Sequence, residues 1–188
     1  MKKLLAVSML CIISSPSYAY RQNIGQYGNF DSYYLVTNGG LQVCSARGFY
    51  DGNYKVIFNI IKDPDTGFNT KLNVEYPLWR IPPHYSGNYV IELTDLNDNL
   101  IYRDVVKLEN RSSDYVSQAS WYINDASFYS KAGLNGKTLT ISGGSFNVKF
   151  NISSSNSTRA ISDMVSCASN NLLQTQPTFQ SDVHQPLY

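Results

Sequence analysis

The run Phe146-Asn147-Val148-Lys149-Phe150-Asn151-Ile152 alternates apolar and polar residues without interruption. Only an extended strand sorts such a run onto one buried and one wet face. The pattern recurs along the chain. Leu72, Val74 and Tyr76 alternate with Lys71, Asn73 and Glu75, and Tyr54, Val56, Phe58 and Ile60 form another apolar row. Ile57 and Ile61 make the second face of that row apolar too, which predicts a central strand. Between the runs lie turn formers: Asn38-Gly39-Gly40, Asp63-Pro64-Asp65-Thr66-Gly67, Asp95-Leu96-Asn97-Asp98-Asn99 and Ser142-Gly143-Gly144-Ser145. Asp, Asn and Gly supply the backbone bonds and left-handed conformations that tight turns need. The text therefore reads as consecutive hairpins, with further strands near Ser32–Thr37, Leu41–Ala46, after Gly87-Asn88-Tyr89, over Leu100–Leu108 and over Lys137–Ile141. Residues 20–40 otherwise lack a period and read as an irregular segment.

Two helices interrupt the strands. A short one is expected near Asp125–Ala132, with Asp125 as N-cap and Gly133 after its end. A second runs from Thr158 to Ala168, capped by Asn156 or Ser157, with Ala160, Ile161, Met164, Val165 and Ala168 as its apolar stripe. Cys167 falls on that stripe. The fold expected is mainly β: an antiparallel β-sandwich of hairpins, seven or eight strands, with one C-terminal helix packed on the sheets. One domain over residues 20–169 fits the length, and the polar stretch 170–188, with Pro177 and Pro186, reads as a flexible tail.

Composition narrows the class. Charged residues make up 15% of the 188, the formal net charge is +1, and Tyr occurs 15 times. Glu appears only at positions 75, 92 and 109, which disfavours long exposed helices. A near-zero charge argues against nucleic acid or a polybasic membrane contact as partner.

Residues 1–19 read as a secretory signal peptide. Met1-Lys2-Lys3 is basic, Leu4 to Ile13 is apolar apart from Ser8, and Ser17-Tyr18-Ala19 places small residues where a signal peptidase reads, so cleavage is expected after Ala19. The apolar run is too short to be a membrane anchor, which needs about 20 residues. Cys11 follows Met9-Leu10, not the small residues a lipoprotein signal requires. The expected compartment is the periplasm or the exterior. Losing Lys2 and Lys3 leaves 13 basic against 14 acidic side chains, a net charge of −1, and two cysteines, Cys44 and Cys167. In an oxidising compartment a Cys44–Cys167 disulfide is the leading reading. The alternatives are two buried free thiols or a metal pair, and two cysteines with no nearby histidine make a poor metal site.

A search for catalytic chemistry returns little. His84 and His184 are the only histidines, and neither sits in a motif, so no catalytic residue, cofactor or metal ligand is assigned. The pairs Asp63/Asp65 and Asp95/Asp98 fall where hairpins need turn residues. Asp95, Asn97 and Asn99 imitate part of a calcium loop without its distal Glu. The sequons at Asn110, Asn151 and Asn156 are expected by chance in a chain this rich in Asn and Ser. Trp79, Trp121 and Tyr122 remain as candidate binding aromatics, since large rings anchor a protein partner or stack on sugars. The competing reading is that the tryptophans pack the core.

The segment Leu139-Thr140-Ile141, the Gly-Gly turn, Phe146 to Ile152, then Ser157-Thr158-Arg159-Ala160-Ile161 and Cys167 resembles the C-terminal pattern of small exported proteobacterial proteins of the invasion-associated locus B type. The resemblance covers about the last third well. Cys44-Ser45-Ala46 and Pro77-Leu78-Trp79 match more loosely, and this chain has fewer cysteines. It implies an exported structural scaffold and carries no catalytic residue across. The function expected is therefore non-enzymatic protein–protein contact with another envelope or secreted protein, as a secretion-system accessory, virulence-associated factor, inhibitor or immunity protein. The alternatives are a carbohydrate-binding or adhesive module and, least supported, a hydrolase built on His84.

Overall fold

The computed structural model describes residues 18–125, 127–144 and 146–173. The expected signal peptide, apart from the backbone of its last two residues, and positions 174–188 of the expected tail lie outside the described residues.

Ten strands and two helices are present among the described residues: β1 Tyr18–Tyr27, β2 Phe30–Thr37, β3 Gln42–Tyr50, β4 Tyr54–Asp63, β5 Gly67–Glu75, β6 Ser86–Thr94, β7 Leu100–Glu109, β8 Gln118–Tyr122, α1 Ser127–Leu134, β9 Thr138–Gly143, β10 Phe146–Asn151 and α2 Ser155–Cys167. They build two antiparallel sheets, a six-stranded one in the order β1-β2-β3-β4-β5-β8 and a four-stranded one in the order β10-β9-β6-β7. The fold is the expected β-sandwich, with more strands than the seven or eight counted. The two additions are β1 and β8. Most β1 side chains are at least partly exposed, so no buried face wrote a period into them. β8 is five residues long and two of its residues are Ala119 and Ser120.

Strand β4 is central, as its two apolar faces predict, and pairs with both β3 and β5. Its row Val56 and Phe58 points into the core with Cys44 and Ala46 of β3, Leu72 and Val74 of β5, and Ala119 and Trp121 of β8. Ile91 and Leu93 of β6, Leu139 and Ile141 of β9, and Phe150 of β10 close on them from the smaller sheet. Phe150 meets Tyr50 and Tyr54 at one edge of this interface, and Tyr89 of β6 meets Trp121 at the other.

The smaller sheet does not cover the whole inner face of the larger one. Helix α2 lies over β1, β2 and β3. Its buried stripe is Ser157, Ala160, Ile161, Met164 and Cys167, close to the predicted set. The N-cap is Ser154, not Asn156 or Ser157: its hydroxyl accepts from the Ser157 N–H at 3.1 Å, and Ser157 turns its own hydroxyl inward to the Ile152 carbonyl at 2.6 Å. The helix also runs past its expected end. A wider turn over Ala168–Leu172 buries Leu172, and Lys62 Nζ donates to the Leu172 carbonyl at 3.0 Å. Residues 170–172 are thus part of the core-facing helix. In α1, Asp125 serves as predicted, accepting from the Ser127 N–H at 2.8 Å.

Two residues of α2, Cys167 and Asp163, bind it to the larger sheet. Cys44 and Cys167 form the disulfide, with Cα atoms 5.9 Å apart and 123 residues between them in sequence. Asp163 accepts from Tyr27 Oη at 2.6 Å and from the buried Ser32 hydroxyl at 3.1 Å. This second contact fixes Gly25, where a Cβ would stand 2.6 Å from Tyr27 Oη and 2.7 Å from Asp163. No described helix is long and apolar enough to cross a membrane.

A crosslink closing so long a loop removes about 3–5 kcal/mol of denatured-state freedom on the chain-entropy model. Cys44→Ala is expected to lose stability of that order in urea unfolding, and reduction should slow the native chain on a denaturing gel. An unchanged unfolding midpoint and an unchanged mobility would contradict the staple.

Candidate functional site

The loop from Tyr76 to Tyr85 crosses one open end of the sandwich. Tight turns shape it: the Trp79 N–H donates to Tyr76 O at 3.0 Å and the Tyr85 N–H to Pro82 O at 3.3 Å. Ile81 and Val116 exchange both backbone bonds, at 3.0 and 3.1 Å. Buried Asn110 holds the loop from behind. Its amide nitrogen donates to Ile81 O at 3.2 Å, Pro82 O at 2.7 Å and Asp114 O at 3.0 Å, while its Oδ1 accepts from the Ser112 N–H at 3.0 Å. The Asn110 sequon thus has a structural explanation, since its side-chain nitrogen is consumed inside the protein.

The loop delivers Trp79 onto a nest of rings. Trp79 stands edge-on to Phe146 at 4.7 Å and to Tyr54 and Tyr76 at 5.9 Å, and Tyr54 and Tyr76 are stacked at 4.3 Å. Tyr89 lies 5.9 Å from Phe146 and 5.7 Å from Trp121. Its hydroxyl shares a 3.0 Å hydrogen bond with Tyr85 Oη, and burial raises its pKa above the usual tyrosine value. Trp79, Arg80, Tyr85, Tyr89, Trp121 and Phe146 line a cleft of about 400 Å³, with Tyr54 and Tyr76 behind Trp79. Apolar walls with a few polar groups at the rim are the usual composition of a site that takes a small ligand or an inserted side chain.

The three aromatics singled out from sequence separate here. Trp79 is half-buried in the cleft wall. Trp121 is 0% exposed and packs the core, the competing reading of the two. It pairs with Leu72 on the inward parity of β8, fills the core, and meets the cleft only from below. Its indole Nε1 has no hydrogen-bond acceptor among the described residues. Tyr122, one residue on, faces outward by the same alternation and is 60% exposed. It belongs to a different surface, where its ring lies 5.5 Å from Lys71 Nζ. Tyr54, Tyr85, Tyr89 and Phe146 were not singled out from sequence. They come from five separate stretches of chain with Trp79 and Trp121, and each alone reads as an ordinary strand residue.

The carboxylate pairs serve the turns. Asp63 Oδ1 accepts from the Asp65 and Thr66 N–H groups at 2.8 and 3.1 Å. Asp95 accepts from the Asn99 side chain at 3.0 Å, the Asn99 N–H at 2.9 Å and the Asn97 N–H at 2.8 Å. Those bonds, led by Asn99, hold the Asp95 carboxyl below its usual pKa. Among the described residues no group of three or more His, Cys, Asp or Glu is placed to hold a metal ion. His84 lies exposed in the loop at φ +55°, and His184 is outside the described residues.

Fold and site together define a disulfide-stapled β-sandwich with an aromatic cleft at one end. No protein-family model, curated protein or solved structure matches the chain.

Removing the Asn110 amide takes a donor from three carbonyls, of which Ile81 O and Pro82 O keep a backbone N–H. Asn110→Ala is expected to cost about 1–3 kcal/mol and to shift tryptophan emission to longer wavelength as the Trp79 loop loosens. Unchanged emission with lowered stability would show that Asn110 supports the fold but not the cleft.

Proposed function

We propose that this protein is exported and acts without catalysis, by binding another envelope or secreted protein. The observation that carries the reading is the aromatic cleft under Trp79. Its rings meet edge to face and enclose a space suited to an inserted apolar side chain, the way interface anchors are taken up. A sugar-binding platform instead needs a broad, open ring face, and Trp79 is turned into the wall. The fully buried Trp121 supplies rigid backing, so little order is lost when the cleft fills.

Export is supported by the basic-apolar-small order of residues 1–19 and by the disulfide, which suits an oxidising compartment. The likeness of the C-terminal third to small exported proteobacterial proteins points the same way. Chemical sequencing of the protein from a periplasmic fraction is expected to begin at Tyr20. An uncleaved start at Met1 would contradict export by this route.

Immobilised protein is expected to retain, from an envelope extract, one protein that mass spectrometry identifies reproducibly. Trp79→Ala, with its melting temperature checked, should no longer retain it. Quenching of tryptophan emission by oligosaccharides, lost in Trp79→Ala, would overturn this reading in favour of a carbohydrate ligand.

A further inference from the structure

A second surface lies on the side of the sandwich, where the free edge of β8 faces the free edge of β7. Each strand has a neighbour on one side only: β8 pairs with β5 and β7 with β6. The ladder fixes which backbone groups are unused. The Ile123 N–H bonds to Thr70 O and the Tyr76 N–H to Ser117 O, each at 3.0 Å. In an antiparallel ladder those bonds flank the widely spaced pairs Lys71/Tyr122 and Glu75/Gln118, so the pair Asn73/Ser120 between them is of the same kind. The N–H and C=O groups of Ser120 and Tyr122 therefore point away from β5 and into the seam. On β7, by contrast, the Val105 N–H is taken at 2.8 Å by Asp104 Oδ1, which guards that edge locally.

The seam is hollow. A cavity of about 530 Å³ is lined by Lys71, Val105, Lys107, Arg111, Ser120 and Tyr122, with Glu109 and Asn124 among its other walls. Lys107, Glu109 and Arg111 also line a hollow of about 280 Å³ beneath His84, and Tyr122 and Asn124 line another of about 310 Å³ beside Phe68. The cavity in the seam is the trough along the edge of β8, and each of the other two hollows borders it. Its charge is one-sided. Glu109 pairs with both Lys107 and Arg111, at 2.5 and 2.6 Å, which leaves a cationic excess. Lys71 has no carboxylate partner among the described residues and rests against the Tyr122 ring. Burial lowers its pKa, the cost of holding a half-desolvated ammonium without a counter-charge.

We infer that this trough takes an extended acidic segment of a partner protein, which pairs its backbone with Ser120 and Tyr122 and sets a carboxylate beside Lys71. Main-chain pairing supplies affinity in this mode of recognition, and alternate side chains supply selectivity. The stretch Ser120–Tyr122, at the end of β8 that lines the cavity, offers the pairing positions. The surface is separate from the Trp79 cleft, and its test does not depend on that site.

The probe is the capped peptide Glu-Val-Glu-Val-Glu, titrated into the isotope-labelled protein by nuclear magnetic resonance. The expected result is a shift of the Ser120 and Tyr122 amide signals with slowed exchange of both amide protons. Binding should weaken about tenfold in Lys71→Met and vanish when alternate peptide nitrogens are methylated, a control that leaves the protein untouched. Unmoved Ser120 and Tyr122 amides, equal binding of the methylated peptide, or equal binding of Lys-Val-Lys-Val-Lys would overturn the inference.

Discussion

The clamp between α2 and the six-stranded sheet is the constraint on which the architecture depends. Six strands present a wider inner face than four can cover, and the uncovered part lies over β1, β2 and β3. Helix α2 fills it with an apolar stripe, yet a helix of 13 residues is marginal without tertiary packing. Cys167 at the end of that stripe bonds to Cys44 near the start of β3. Asp163, one turn earlier, bonds to Tyr27 and Ser32 on β1 and β2. The first contact is covalent and acts on the denatured chain; the second sets the angle at which the helix lies.

The aromatic cleft and the β7–β8 trough both follow from this division of the inner face. With the helix over β1 to β3, the smaller sheet spans from Phe150 over Tyr50 and Tyr54 to Tyr89 over Trp121. It leaves an end where strands stop and the Tyr76–Tyr85 loop crosses, and there the aromatic rings gather. It also leaves β7 and β8 as facing edges that do not pair, and the trough lies between them.

How much of this was legible in the sequence depended on how strongly burial shaped each segment. Strand β5 and the hairpins β6–β7 and β9–β10 were legible because one face of each is wetter than the other, and β4 because both of its faces are apolar. The Cys44–Cys167 pair followed from arithmetic and compartment, and the position of Cys167 on the α2 stripe agreed with it. β1 was not legible, since its Tyr, Gln, Asn and Gly residues lie on a largely exposed edge and carry no alternation. The missing β8 had a larger consequence: without its parity, Trp121 and Tyr122 could not be told apart, and one proved to be core and the other surface. The cleft was legible only through Trp79. Its remaining rings arrive from distant strands, and their meeting is a property of sheet order, which local patterns do not encode.

The most direct test of this account is hydrogen exchange followed residue by residue in the oxidised and the reduced protein. Reduction is predicted to release the amides of α2 and of β1 to β3 while those of β6 and β9 keep their protection. Equal loss of protection throughout both sheets, or none in α2, would contradict it.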